Sequence, residues 1–456
     1  MLETLSQKCS IPKRYIISLM VFIGYSNITF LHTNLSMAVV EMTAIRNISN
    51  HDGSYEMRAE FNWTSQETGQ ILSSYSYGRL FSPLGGLLAG KLGGSTIYSI
   101  GTFVMTIITF LTPVLLSDSV TLFVVVYIIF GAFEAFLIAG VPQIVSRWSP
   151  PNERARFISF GEIGFYFGAV VSFVISGWIL KNFRWEVLFY SSGLVSFVWF
   201  WIWFIVVKND PSQDKNVSEI ELKYIQETLN NGTYIEEKLV YPWKKIMVST
   251  SLWVAALAEF SIVCGYIFTA VFLPQFIKDT EHIDIAQIGI TSTLPQICAM
   301  ISMPLSGIIG DFVRSRNWMS ITNVHRLFAG VTLFSAAICY ALVSVWSNFA
   351  LDIVAISSFQ FFSTFMLVDI TVLFLDISPK YTAFLMSIVN MFAISAGIIV
   401  PCAVGFIVTS HSLSEWNTFF MIFSSMYVLA ALLYLQFVSG DKPSWTDYNG
   451  DTESDR

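Results

Sequence analysis

Charge is what this chain has least of. Its 25 Lys and Arg and 32 Asp and Glu make up 12% of 456 residues, about half the usual share of a soluble protein. A soluble fold needs a solvated polar shell, so this scarcity excludes a soluble enzyme. Cysteine is sparse too. Cys9, Cys264, Cys298, Cys339 and Cys402 make no CxxC pair, which excludes a disulfide framework and a zinc site. No glycine-rich Walker loop occurs, so ATP is not the energy source. A basic surplus is also missing: the formal net charge of −7 argues against a nucleic-acid partner. What is abundant is apolar surface, with 54% hydrophobic residues, 40 Phe and 13 Trp, and a mean hydropathy of +0.61. That excludes a disordered chain and points to a polytopic membrane protein whose first partner is the lipid bilayer.

A helix needs about 20 apolar residues to cross about 30 Å of hydrocarbon. Twelve stretches qualify: 15–39, 68–90, 96–117, 120–143, 157–180, 186–207, 249–274, 286–310, 326–346, 350–374, 384–409 and 417–438. The second is the least apolar and carries Arg79. The first is too long for a cleavable signal and has no small-residue cleavage site after it. With the N-terminus inside, nineteen Lys and Arg fall in cytoplasmic segments and five outside. The positive-inside bias therefore puts both termini in the cytoplasm.

The expected domain plan is a cytoplasmic N-terminus 1–14, a six-helix bundle 15–207, a cytoplasmic linker 208–247, a second six-helix bundle 248–438 and a cytoplasmic tail 439–456. Alternating charges predict a short surface helix around Glu219–Glu227 in the linker. In the extracellular loop 40–67, Asn47-Ile48-Ser49 and Asn62-Trp63-Thr64 are glycosylation acceptors, so a glycoprotein is expected.

The two halves repeat. Pro83-Leu84-Gly85-Gly86-Leu87-Leu88-Ala89-Gly90-Lys91 matches Pro304-Leu305-Ser306-Gly307-Ile308-Ile309-Gly310-Asp311-Phe312 at an offset of 221 residues. Each copy ends the second span of its half and enters a short basic loop. Both run in the same direction, so the repeat is parallel.

Further strings narrow the resemblance. They are Asn34-Leu35-Ser36-Met37-Ala38, Gly69-Gln70-Ile71-Leu72-Ser73-Ser74, Trp148-Ser149-Pro150-Pro151-Asn152-Glu153-Arg154, Leu375-Asp376-Ile377-Ser378-Pro379-Lys380-Tyr381 and Asn390-Met391-Phe392-Ala393. From about residue 14 to 440 the chain resembles the anion:cation symporters of the major facilitator superfamily. That group holds type I sodium–phosphate cotransporters, sialin and the vesicular glutamate transporters, and the insect inorganic phosphate cotransporters look most similar. The resemblance implies an all-α membrane fold of 12 transmembrane helices in two six-helix bundles. The family's first-span Arg is replaced here by His32, its fourth-span Arg by Tyr127 and its fifth-span Tyr by Glu162, while a fourth-span glutamate survives as Glu134.

Ionisable groups inside spans are costly and often functional. Glu134 lies about fourteen residues into its span, and Tyr127, seven earlier, shares nearly the same face. Glu134 reads as a coupling carboxyl or as a structural one bonded to a neighbouring helix. Arg79 lies near mid-membrane and keeps its charge there. It reads as an anion clamp or as half of an ion pair, with Glu162 the first candidate partner. His32 could titrate in coupling, or donate to a neighbouring carbonyl. Glu259 and Asp369 are further intramembrane carboxyls. Asn390 matches a family string or glues helices together. By resemblance, Glu153 and Arg154 of the first half and Asp311 and Arg314 of the second form a cytoplasmic gate.

The leading reading is a symporter that moves a small anion, inorganic phosphate or an organic anion, by alternating access. It needs no cofactor or metal beyond Na⁺ or H⁺ as coupling ion. An enzyme would cluster His, Cys or acidic groups at one depth, but His32, His51, His282, His325 and His411 are scattered along the chain. The alternative is a transporter-like sensor or scaffold that binds without translocating. A monomer is expected, with the plasma membrane favoured over a lysosome or vesicle.

Overall fold

The computed structural model describes residues 12–49, 55–150, 153–231, 242–281, 283–316, 318–346, 348–378, 381–440 and 442. It is overwhelmingly helical, as apolar runs in a membrane must be, because a helix satisfies all its backbone groups internally. In order come α1 (Lys13–Met42), a hairpin of β1 (Ile45–Ser49) and β2 (Tyr55–Ala59), α2 (Ser65–Arg79), α3 (Ser82–Leu92), α4 (Gly94–Asp118), α5 (Val120–Trp148), α6 (Arg154–Asn182) and α7 (Trp185–Val206). The linker contributes α8 (Glu219–Asn231) and α9 (Trp243–Met247). Then follow α10 (Thr250–Ile267), α11 (Leu273–Thr280), α12 (Ile285–Ser315), α13 (Ile321–Val345), α14 (Phe349–Ile377), α15 (Thr382–Ile394), α16 (Ala396–Ile407) and α17 (Leu413–Phe437).

Among the described residues, eleven helical segments are long and apolar enough to cross a membrane. Residues 68–90, read from the sequence as one span, differ. They form two helices that meet at Leu80–Phe81, and α3 restarts with Pro83 in its first turn, where no N–H is needed. The Ser and Tyr content of α2 leaves it too polar to pass as a continuous apolar span. The seventh span is also interrupted. A single π turn, Phe268–Phe272, separates α10 from α11. Pro274 follows it and cannot bond the carbonyl four residues back. The linker helix expected around Glu219–Glu227 is present as α8. The antiparallel hairpin of the first long loop, which pairs Ile45 with Ala59 and Ser49 with Tyr55, had no signal in the sequence reading.

The chain forms two compact units. Unit 1 comprises Met1–Asn34, Tyr77–Ser172 and Arg184–Ile235, and unit 2 comprises Leu35–Ser76, Phe173–Phe183 and Glu236–Arg456. The division falls inside α1, α2 and α6 as well as between α6 and α7 and in the linker.

Unit 1 is held by aromatic packing and hydroxyl bonds between helices. Tyr98 stacks on Trp203 at 3.7 Å. Asn27 of α1 donates to Ser196 Oγ of α7 at 3.1 Å, and that hydroxyl also meets Thr106 Oγ1 of α4 at 2.8 Å. Gly168 lets α6 lie directly on the backbone of α1, where any Cβ would strike Ser26. Unit 2 is built around an aromatic core in which Phe268, Tyr340, Phe420 and Tyr427 pack together.

Candidate functional site

Unit 1 holds most of the intramembrane ionisable groups that the sequence singled out, while Glu259 and Asp369 lie in unit 2. Gly78 presses the end of α2 against α5, and a Cβ there would collide with the Ile128 carbonyl and the Ala132 nitrogen. That contact fixes Arg79, the last residue of α2, beside the face of α5 that carries Glu134. Arg79 is half-buried, Glu134 is buried and His32 is half-buried. The Arg79 charge acts on both His32 of α1 and Glu134 of α5. Oε2 of Glu134 is shut off from solvent and accepts no hydrogen bond among the described residues. A buried carboxylate oxygen without a donor is costly unless a proton or a ligand completes it.

Other expected members take different places. Glu162, the sequence's first candidate partner for Arg79, instead acts on Tyr25 of α1. Tyr127 is buried between Phe123 and Phe130, and its hydroxyl meets Thr112 Oγ1 of α4 at 3.3 Å. Asn34 accepts from Ser172 Oγ at 3.0 Å and so ties α1 to α6. Asn390 is exposed on α15.

The residues expected at the gate are held in two networks, one per unit. In unit 1, Arg14 Nε donates to Glu153 Oε2 at 3.1 Å. Glu221 of the linker helix α8 accepts from the Lys13 and Arg14 backbone N–H groups at 2.9 and 3.0 Å. Lys13 Nζ pairs with Asp214 Oδ2 at 3.1 Å. In unit 2, Arg314 NH1 donates to Asp376 Oδ2 at 3.1 Å. The side chains of Arg154, Asp311 and Asn47 lie outside the described ones. Asn62 is exposed.

Within unit 2, the ends of α1, α2 and α6 away from the linker pack on helices of the second half. Ser36 Oγ donates to the Ala270 carbonyl at 3.4 Å, beside the π turn. Lys278 Nζ donates to the Val40 carbonyl at 2.5 Å. Gly177 and Gly289 let α6 and α12 cross in close contact. Lys181 Nζ sits 2.5 Å from Asp284 Oδ2 and holds that carboxyl below the usual carboxylate range. Asp279 gathers three donors: Gln275 Nε2 at 2.8 Å, Trp416 Nε1 at 3.1 Å and His411 Nδ1 at 2.8 Å. The other ring nitrogen of His411 meets Ser65 Oγ, at the start of α2, at 3.3 Å.

Sequence reasoning missed two groupings. One is the His411–Asp279 clasp; the other joins His325, Asp369 and Asp376. Asp376 appeared only inside a family string, and neither histidine sits in a periodic pattern that would single it out.

Eleven membrane-length helices among the described residues, with the half-buried Arg79 and the buried Glu134 set among them, have the make-up of a membrane carrier. The profile of the Major Facilitator Superfamily matches residues 16–324 and 255–452, and the chain belongs to that family. It is 26% identical over 441 residues to vesicular glutamate transporter 3 of Danio rerio, covering 96% of this chain and 75% of that protein. It is 26% identical over 456 residues to human sialin, covering 96% and 92%. Among solved structures it is similar to a bacterial homolog of the human lysosomal transporter Spinster, in an inward-facing and occupied conformation. The TM-score there is 0.71 at 12% identity, over 94% of this chain and 97% of that one. It is likewise similar to a D-xylose–proton symporter, with a TM-score of 0.68 at 14% identity, over 94% and 100%.

Proposed function

We propose that the chain is a symporter for a small anion, inorganic phosphate or an organic anion, working by alternating access with H⁺ or Na⁺ as the coupling ion. The observation that carries this reading is Arg79 acting on both Glu134 and His32, with Glu134 Oε2 buried and undonated. An anion leaving water needs a fixed cation to offset its desolvation, and a guanidinium supplies one with a two-donor fork. Glu134 shares that cation, so cargo and carboxylate compete for it. An anion that takes Arg79 leaves Glu134 to bind a proton, and that exchange is the coupling. Similarity to vesicular glutamate transporters supports an anionic cargo.

The contacts at the ends of α1, α2 and α6 are those that break for the carrier to open on the side away from the linker. We place the linker and both termini in the cytoplasm, on the nineteen-to-five charge bias. The protein works as a glycosylated monomer of the plasma membrane.

Anion uptake into proteoliposomes, with imposed pH or Na⁺ gradients, tests this reading. Arg79→Lys keeps the charge but loses the fork, so the apparent KM rises. Arg79→Gln abolishes uptake at normal expression. Glu134→Gln stops gradient-driven uptake but leaves exchange. If the double change Arg79→Gln with Glu134→Gln restores transport, the pair is structural and the clamp is refuted. Binding without uptake in the native chain would make it a sensor.

A further inference from the structure

Four helices of unit 2 bring five polar side chains together on the linker side. His325 of α13 has a fully buried side chain. Its Nδ1 lies 2.8 Å from Asp369 Oδ1 and its Nε2 lies 3.1 Å from Asp376 Oδ2. Both aspartates are on α14, two turns apart on one face. Arg314 of α12 donates to Asp376 Oδ2 at 3.1 Å, and its NH2 lies 3.8 Å from Asp369 Oδ1. Tyr434 of α17 donates to Asp369 Oδ2 at 3.4 Å. Gly440 lies beside the imidazole, where an added Cβ would come within 3.2 Å of Cδ2. The adjacent cation on α13, Arg326, is turned to the Val438 carbonyl at 3.3 Å.

Counting protons decides what this arrangement holds. A neutral imidazole has one donor nitrogen and one acceptor, and an ionised carboxylate only accepts. Here both ring nitrogens face carboxylate oxygens. A neutral His325 between two ionised aspartates would set one lone pair against another. The bonds close only with one more proton, either as an imidazolium donating twice or as a carboxyl donating to a neutral ring. The charge count agrees. With the extra proton, Arg314, His325, Asp369 and Asp376 sum to zero; without it, a net negative charge stays buried.

We propose that the His325–Asp369–Asp376 cluster is an exchangeable proton-binding site, loaded in this structure and emptied toward the linker side through Asp376. His325 and Asp369 are 0% and 2% exposed in their side chains, so they have no direct route to water. Asp376 and Arg314 are each 25% exposed and supply one. In release, the Nε2 proton passes to Asp376 Oδ2 and from that carboxyl to water. The ring stays neutral, with Nδ1–H still bonded to Asp369. Arg314 and His325 share the same Asp376 oxygen, so a tighter Arg314–Asp376 pair loosens the hold on the proton. The position of the α12 end thereby sets proton occupancy. What the proton drives rests on the carrier reading above, but its presence does not.

The full chain, labelled with ¹⁵N-histidine in lipid nanodiscs, reports this by NMR, and His325→Gln assigns the signal. The expected result is a doubly protonated His325 ring whose protons exchange with solvent, and more slowly when Asp376 is changed. Asp376→Asn should weaken proton binding about tenfold or more. A neutral ring together with an infrared carboxyl band lost in Asp369→Asn or Asp376→Asn locates the same proton on the aspartate. A neutral ring without such a band overturns the proposal. So does a His325 proton whose exchange with solvent is unaffected by Asp376→Asn. In proteoliposomes, His325→Gln should weaken the dependence of anion uptake on a pH gradient, leaving the part carried by Glu134, while exchange survives. If native protein moves no anion, the carrier reading fails while the NMR result still stands or falls alone.

Discussion

Glu221 offers a quantitative test of how the linker is fixed to α1. The first N–H groups of any helix have no partner within it. Here the carboxylate of Glu221 takes two of them, from Lys13 and Arg14, at 2.9 and 3.0 Å. It also lies 3.6 Å from Arg14 NH1, with its side chain 7% exposed. A hydrogen bond to an ionised group contributes about 1.5–3 kcal/mol, and losing a helix cap costs about 0.5–2 kcal/mol. Two bonds to one carboxylate are not independent, so Glu221→Ala should cost about 3 kcal/mol locally. That corresponds to roughly a hundredfold faster amide exchange at Lys13 and Arg14 where exchange follows local opening. Glu221→Gln keeps one accepting oxygen and loses the charge, so roughly a tenfold change is expected. Hydrogen exchange read by mass spectrometry on peptides covering residues 12–18 measures both. Unchanged protection in the alanine variant would refute the capping role and free α8 from α1.

Gly78→Ala should place a methyl against the Ile128 carbonyl and cost about 1–3 kcal/mol of overpacking, displacing Arg79 from Glu134. A variant with native melting temperature and native uptake would contradict that packing. The Asp279 carboxylate raises the pKa of His411, so the stabilising contribution of the clasp is full below the ordinary histidine value and is lost as pH rises through the raised one. Lys278 opposes that rise, while Glu415 adds to it. The melting difference between native protein and His411→Gln should therefore be larger at about pH 5 than at about pH 9, and a pH-independent difference contradicts it. Asn47→Gln with Asn62→Gln should abolish the glycosidase mass shift in cells, and a residual shift would place the linker triplets Asn216-Val217-Ser218 and Asn231-Gly232-Thr233 outside.

The sequence alone determined the membrane class, the repeat and the candidate ionisable groups. Hydrocarbon imposes that reading: about 20 apolar residues per crossing is a property of composition, and a charge inside a span stands out against it. The α8 helix was legible for a similar reason, since its charges alternate locally. The break at Leu80–Phe81 was half-legible in the weak hydropathy of 68–90 and in Pro83. Partnership was not legible. Arg79 could have met more than one of the sequence's intramembrane carboxyls, and the packing of Gly78 on α5 sets it near the helix that carries Glu134. Likewise, His325 and Asp376 are 51 residues apart in the chain. No periodicity links positions on different helices. Their meeting depends on how α12, α13, α14 and α17 pack side by side, and that is fixed by the fit of whole helix faces.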